Sequence, residues 1–168
     1  MKKFSFKKML YALLIPSVVL FSFTTLAERV NFSGDWKLDE SKSELGEFGA
    51  RVARSVKAEQ KDNAITISKT TPGFNGGDPV TTTVTLTYDG KVTESEGFGG
   101  SKRKSTASWS DDGSTLTVNT TTTFERDGQT SEFKSTETWT LTKDGLLSVV
   151  AHSNSPRGES TTKAIYKK

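Results

Sequence analysis

Residues 114–141 read STLTVNTTTTFERDGQTSEFKSTETWTL. Two alternating runs flank Asp127-Gly128. In the first, Leu116, Val118 and Phe124 share a face with Thr120 and Thr122. In the second, Phe133, Trp139 and Leu141 share a face, opposite Glu132, Lys134, Thr136, Thr138 and Thr140. Alternation with period two and abundant threonine marks β-strands with one wet face. An Asp-Gly pair tolerates the positive φ that a tight hairpin loop requires. The stretch therefore predicts a long antiparallel hairpin with strands over 115–126 and 129–142, protruding or strongly coiled.

The same pattern extends in both directions. In VTTTVTLTY, 80–88, Val80, Val84, Leu86 and Tyr88 oppose Thr81, Thr83, Thr85 and Thr87. Asp62-Asn63, Asp89-Gly90, Asp112-Gly113 and Asp144-Gly145 punctuate the alternating runs. Further strands are predicted over 30–38, 52–61, 64–70, 80–88, 91–94, 102–110, 146–153 and 160–167. The connections are short, so consecutive strands pair antiparallel. Residues 40–50, ESKSELGEFGA, are the one plausible place for a short helix. Two glycine-rich loops, 71–79 and 95–104, carry Phe74 and Phe98 and are expected to frame an entrance. A meander leaves two open edges unless it closes, and closure removes them. The predicted class is all-β: an up-and-down meander closed into a barrel of eight to ten strands, which encloses room for side chains or one small ligand.

The first 27 residues read as a secretory signal. Lys2, Lys3, Lys7 and Lys8 precede an apolar run from Met9 to Phe23, and Thr25-Leu26-Ala27 offers a cleavage site. The run is shorter than the roughly 20 apolar residues that span a bilayer. Cleavage after Ala27 is expected, leaving one domain over 28–168. No cysteine follows the run, which excludes a lipid-anchored lipoprotein. The absence of disulfides favours a bacterial periplasmic or secreted protein over a small secreted animal domain. The chain has 23 basic and 20 acidic residues. Removing four lysines with the signal leaves 19 against 20, a net of −1. The electrostatic case for nucleic acid disappears with the signal. Leu, Ile, Val and Phe make up only about 18% of the mature chain, a thin inventory for a core. Inward threonines and a few aromatics would then line a partly hydrated interior.

NFSGDWKLD, residues 31–39, opens the first strand with Gly34 two places before Trp36. Phe-x-Gly-x-Trp at the start of a small exported barrel resembles the calycin group: lipocalins, fatty-acid-binding proteins and their bacterial relatives. More closely, the chain resembles bacterial exported proteins with lipocalin-like domains, which share the FSG-x-W-K-L-D…SKS opening and a closing strand like TTKAIYKK. The resemblance implies that Trp36 closes one end of the barrel and that a cation from the last strand packs on its ring. Lys163 is the candidate, with Lys167 second. The alternative is that Trp36 is an ordinary core residue. Fatty-acid-binding proteins end on an Arg-x-Tyr pair that holds the carboxylate. Tyr166 matches the tyrosine, but Ala164 stands where the arginine would be.

Candidates for chemistry are few. His152 is the sole histidine, too few for a zinc site. Glu94 with Glu96, and Asp111 with Asp112, are close enough to suggest acid–base pairs, yet they lie in a loop and a hairpin turn. Gly97-Phe98-Gly99-Gly100 before Lys102 and Arg103 lacks the pattern of a phosphate loop. No catalytic residue, metal or cofactor is expected. The larger strand aromatics Tyr88, Trp109, Phe124, Phe133 and Trp139, with Trp36, Phe74 and Phe98, are the candidate contacts for a small apolar ligand. A protein-binding module, like the small periplasmic barrels that inhibit proteases, is the alternative. Stable membrane insertion after signal cleavage is not expected, since threonine- and charge-rich faces do not suit an outer-membrane barrel.

Overall fold

The computed structural model describes residues 28–73, 76–97, 100–126, 128–155 and 158–168. Ten strands follow in chain order. They are β1 (Gly34–Leu38), β2 (Ser55–Gln60), β3 (Ala64–Thr71), β4 (Val80–Thr87) and β5 (Thr93–Glu96), then β6 (Lys102–Trp109), β7 (Leu116–Arg126), β8 (Gln129–Leu141), β9 (Leu147–Ser155) and β10 (Gly158–Lys167). All pairings are antiparallel, in the order β4-β3-β2-β1-β10-β9-β8-β7-β6-β5. Pairing of β1 with β10, Lys37 opposite Lys167 and Leu38 opposite Tyr166, curls the meander round. The edge strands β4 and β5 share no ladder, but the Thr93 hydroxyl donates to the Thr85 carbonyl at 3.2 Å. The result is a nearly closed all-β barrel with one seam.

The Asp-Gly turns behave as their chemistry requires: Gly90, Gly113, Gly128 and Gly145 take φ of 67–75°. The central hairpin is the longest element. β7 and β8 stay in register from Leu116 opposite Trp139 to Arg126 opposite Gln129. β6 reaches only Thr123 of β7, and β9 only Lys134 of β8. The hairpin tip therefore stands clear of both neighbours.

Most strands fall within two or three residues of the reading of the alternation, and the largest departure is at β1. β1 starts at Gly34, not near residue 30. Residues 28–33 cross the end of the barrel instead: the Val30 amide donates to the Gly113 carbonyl, and Gln60 bridges the Phe32 amide and the Val30 carbonyl. Gly34 makes the bend into β1 at φ 141°. A side chain there would also meet the Lys168 stem, 2.9 Å from a β-carbon. Residues 40–51 form two short 3-10 turns, Glu40–Lys42 and Gly46–Arg51. Between them, Glu44 bridges to Lys163 and keeps the segment against β10.

The core occupies one end of the barrel. Phe32, Trp36, Ile65, Leu86, Leu116, Trp139 and Leu147 are fully buried there. Apart from Phe32, which precedes β1, and Trp36 within it, they come from the strand ends nearest the turns at 61–63, 88–92, 110–115 and 142–146, which we call the floor. Each large apolar side chain so buried contributes about 1.5–3 kcal/mol. Toward the opposite end, the mouth, inward positions change to Ser and Thr. The thin apolar inventory is concentrated rather than diluted.

Candidate functional site

The floor is an aromatic stack. The Phe32 ring lies parallel to Trp109 at 5.5 Å and edge-on to Trp139 at 6.0 Å, and Tyr88 meets Trp109 edge-on at 5.6 Å. The Trp36 indole donates to the Phe32 carbonyl at 2.8 Å. Arg29 sits over Tyr88 at 4.7 Å, so the segment before β1 lays a cation across the stack. Burial raises the Tyr88 hydroxyl to about 12, although Arg29 and the Trp109 indole oppose the shift. Tyr166 donates to the Ala53 carbonyl at 3.1 Å and is likewise raised, by burial and then by the Glu137 charge. Tyr88, Trp109 and Trp139 thus spend much of their ring surface on one another and on Phe32. Phe32 was not among the candidate contacts, although it opens the Phe-x-Gly-x-Trp motif two residues before Gly34.

The cation over Trp36 is Lys168, with its ammonium 4.9 Å from the ring centroid. This corrects the expectation of Lys163 or Lys167. Ala164 and Tyr166 on β10, and Lys168 just beyond its end, share the inward parity. Lys163 and Lys167 face outward and pair with Glu44 at 3.2 Å and Asp39 at 3.4 Å.

Above the floor lies a charged group that the sequence reading did not single out. Lys69 on β3 donates to both carboxylate oxygens of Glu137 on β8. The Trp139 indole adds a third hydrogen bond to Glu137, 3.0 Å long, and Lys69 lies 5.5 Å from the Trp139 ring. Burial alone would raise the Glu137 carboxyl. The Lys69 charge and hydrogen bond, the indole and the Arg103 charge more than offset it and hold the group below its ordinary range. Parity carried the signal: Glu137 alternates with Trp139 and Lys69 with Ile65 and Ile67, so both had to point inward.

The mouth half is open. Its inward positions, among them Thr82, Thr120, Ser135, Ser153 and Thr162, keep partial solvent exposure. Phe124 and Phe133 meet there edge-to-face at 5.1 Å and are half-buried. A pocket of about 200 Å³ is lined by Gly100, Ser101, Lys102, Phe124 and Glu125. A second, of about 240 Å³, runs over β8–β10 past Ser135, His152 and Ser160. Phe74 and Phe98 lie outside the described residues.

The remaining candidates occupy surface positions. His152 is exposed, with Nδ1 2.9 Å from the Thr161 hydroxyl. No group of three or more His, Cys, Asp or Glu is placed to hold a metal among the described residues. Glu94 pairs with Lys104 at 3.4 Å in solvent. Asp112 accepts from Ser110 and Ser114 and shapes its turn; those bonds lower it to about 2.

These features define the class: a calycin-like antiparallel barrel with an aromatic floor and an open, hydroxyl-lined mouth. Its fold is similar to that of zebrafish ileal bile acid-binding protein in a crystal structure with cholic acid. The two share 19% sequence identity and a TM-score of 0.50, over 82% of this chain and 98% of that one. No family model matches the sequence, and no curated protein matches it.

Proposed function

We propose that the protein is an exported, non-catalytic binder of a small, mostly apolar molecule held in the mouth half of the barrel. One observation carries the reading. The apolar side chains fill the floor, while inward residues nearer the mouth remain partly exposed, so the barrel is not packed along its length. Phe124 and Phe133 offer apolar contact at the rim, and the Ser and Thr walls offer hydrogen bonds that fix orientation. The likeness in fold to a protein whose crystal structure contains cholic acid supports the same reading. Export rests on the basic, apolar and small-residue pattern of residues 1–27.

Native mass spectrometry of the protein purified from its own host tests the proposal. A reproducible bound small molecule supports it. A bare mass, together with no uptake of a fluorescent apolar probe, overturns it. The same spectrum tests export, since the mature chain should begin at Glu28.

A further inference from the structure

Among the described residues, Arg103 is an inward-facing cation with no ion pair at contact distance. Along β6 the side chains alternate, Lys102 and Lys104 exposed, Arg103 partly buried and Ser105 and Ala107 buried, so Arg103 points inward. Its guanidinium lies against Gly97, where a β-carbon would come within 2.6 Å of Nε. The same β-carbon would meet the Ser101 hydroxyl more closely still, so Gly97 leaves room for both side chains. Among the described residues the Arg103 side chain makes no hydrogen bond and no ion pair at contact distance, its charge acting on Glu137 only from farther off, while Lys102 and Lys104 beside it face solvent. Among the described side chains between floor and mouth, the inward charges are Lys69, Arg103 and Glu137. Lys69 and Glu137 neutralise each other, which leaves one positive charge inside the barrel.

We propose that Arg103 anchors the anionic head group of the ligand, so that the molecule bound is an amphiphile with a carboxylate or similar small organic anion. The inference rests on the binding function proposed above and names its ligand class. A guanidinium offers up to five donors in a planar fork that matches a carboxylate. The Glu137 carboxylate faces two cations, Lys69 and Arg103, and an anion entering the mouth balances the positive charge left over. The apolar part has a place as well. Arg103 pairs with Thr122, and Thr122 pairs with Phe133, which puts head-group anchor and aromatic contact on one row of the sheet. The hydroxyls of Ser105 and Thr120, 2.8 Å apart one row deeper, complete the polar wall. The anchor stands on β6, across the barrel from Ala164 on β10.

The test compares decanoate, decan-1-ol and decyltrimethylammonium binding to the mature protein by isothermal titration calorimetry. Decanoate should bind at least about tenfold tighter than the alcohol, and the ammonium weakest. Arg103→Gln should bring decanoate down to the alcohol without changing the alcohol itself. Arg103→Lys should keep part of the preference. Lys104→Gln, which removes an outward charge on the same strand, should change neither. Equal binding of decanoate and decanol to the wild type, or a preference that survives Arg103→Gln, overturns the anchor while leaving the binding function in place. If none of the three binds, the proposed function falls and the anchor with it. The head-group series on the wild type decides the question even if Arg103→Gln does not fold.

Discussion

At the scale of single residues, two lysines five residues apart have different work. Lys168 lies on the Trp36 ring, and Lys163 pairs with Glu44 in solvent. Lys168→Ala should lower stability by about 0.5–1 kcal/mol, and Lys163→Ala by less than about 0.5 kcal/mol, both read from urea unfolding. The Lys69–Glu137 pair is more demanding, because each member stands beside a buried indole. Lys69→Met leaves a carboxylate without its partner and should cost about 1–3 kcal/mol, discounted from a fully buried pair for the partial exposure of both groups. The double variant Lys69→Met/Glu137→Leu should recover part of that loss. The pH dependence has a definite sign. Glu137 is held below its ordinary value in the folded chain, so its contribution is present above that value and is lost on acidification through the folded pKa. The stability difference between wild type and Glu137→Gln should shrink as the pH falls from about 6 to about 3.

At the scale of elements, the central hairpin divides into a structural base and a free tip. Trp139 sits in the base, so Trp139→Ala should cost about 3–5 kcal/mol. Phe133 is half-buried near the tip, beyond the last residue paired with β9. Phe133→Ala should cost less than about 1.5 kcal/mol and should weaken ligand binding more than it weakens the fold. Thermal unfolding and probe titration on the same two variants separate these effects. The strands themselves were legible, because threonine alternation and Asp-Gly turns are local signals and their periods survive any tertiary context. The start of β1 was not, because residues 28–33 alternate much as a strand does but find their partners in the 110–115 turn and in Gln60. The site was legible only in part. Aromatic residues announced themselves by type, yet burial placed four of them in the floor. Lys69, Arg103 and Glu137 look like surface residues by type, and only their parity says that they point inward.

At the scale of the whole molecule, burial is graded from floor to mouth. Amide hydrogen exchange should follow it, with Leu116, Val149 and Tyr166 among the slowest amides and Thr122, Ser135 and Thr162 exchanging earlier. The seam between β4 and β5 has a further consequence for connectivity. Every ladder of the sheet joins strands consecutive in sequence except β1–β10. Opening the chain at Asp89–Lys91 and joining Lys168 to Glu28 by a short flexible linker would make sequence order and spatial order identical, from β5 through β10 and β1 to β4. Such a circular permutant should keep the barrel and fold faster than the parent, since its one long-range closure has become a local turn.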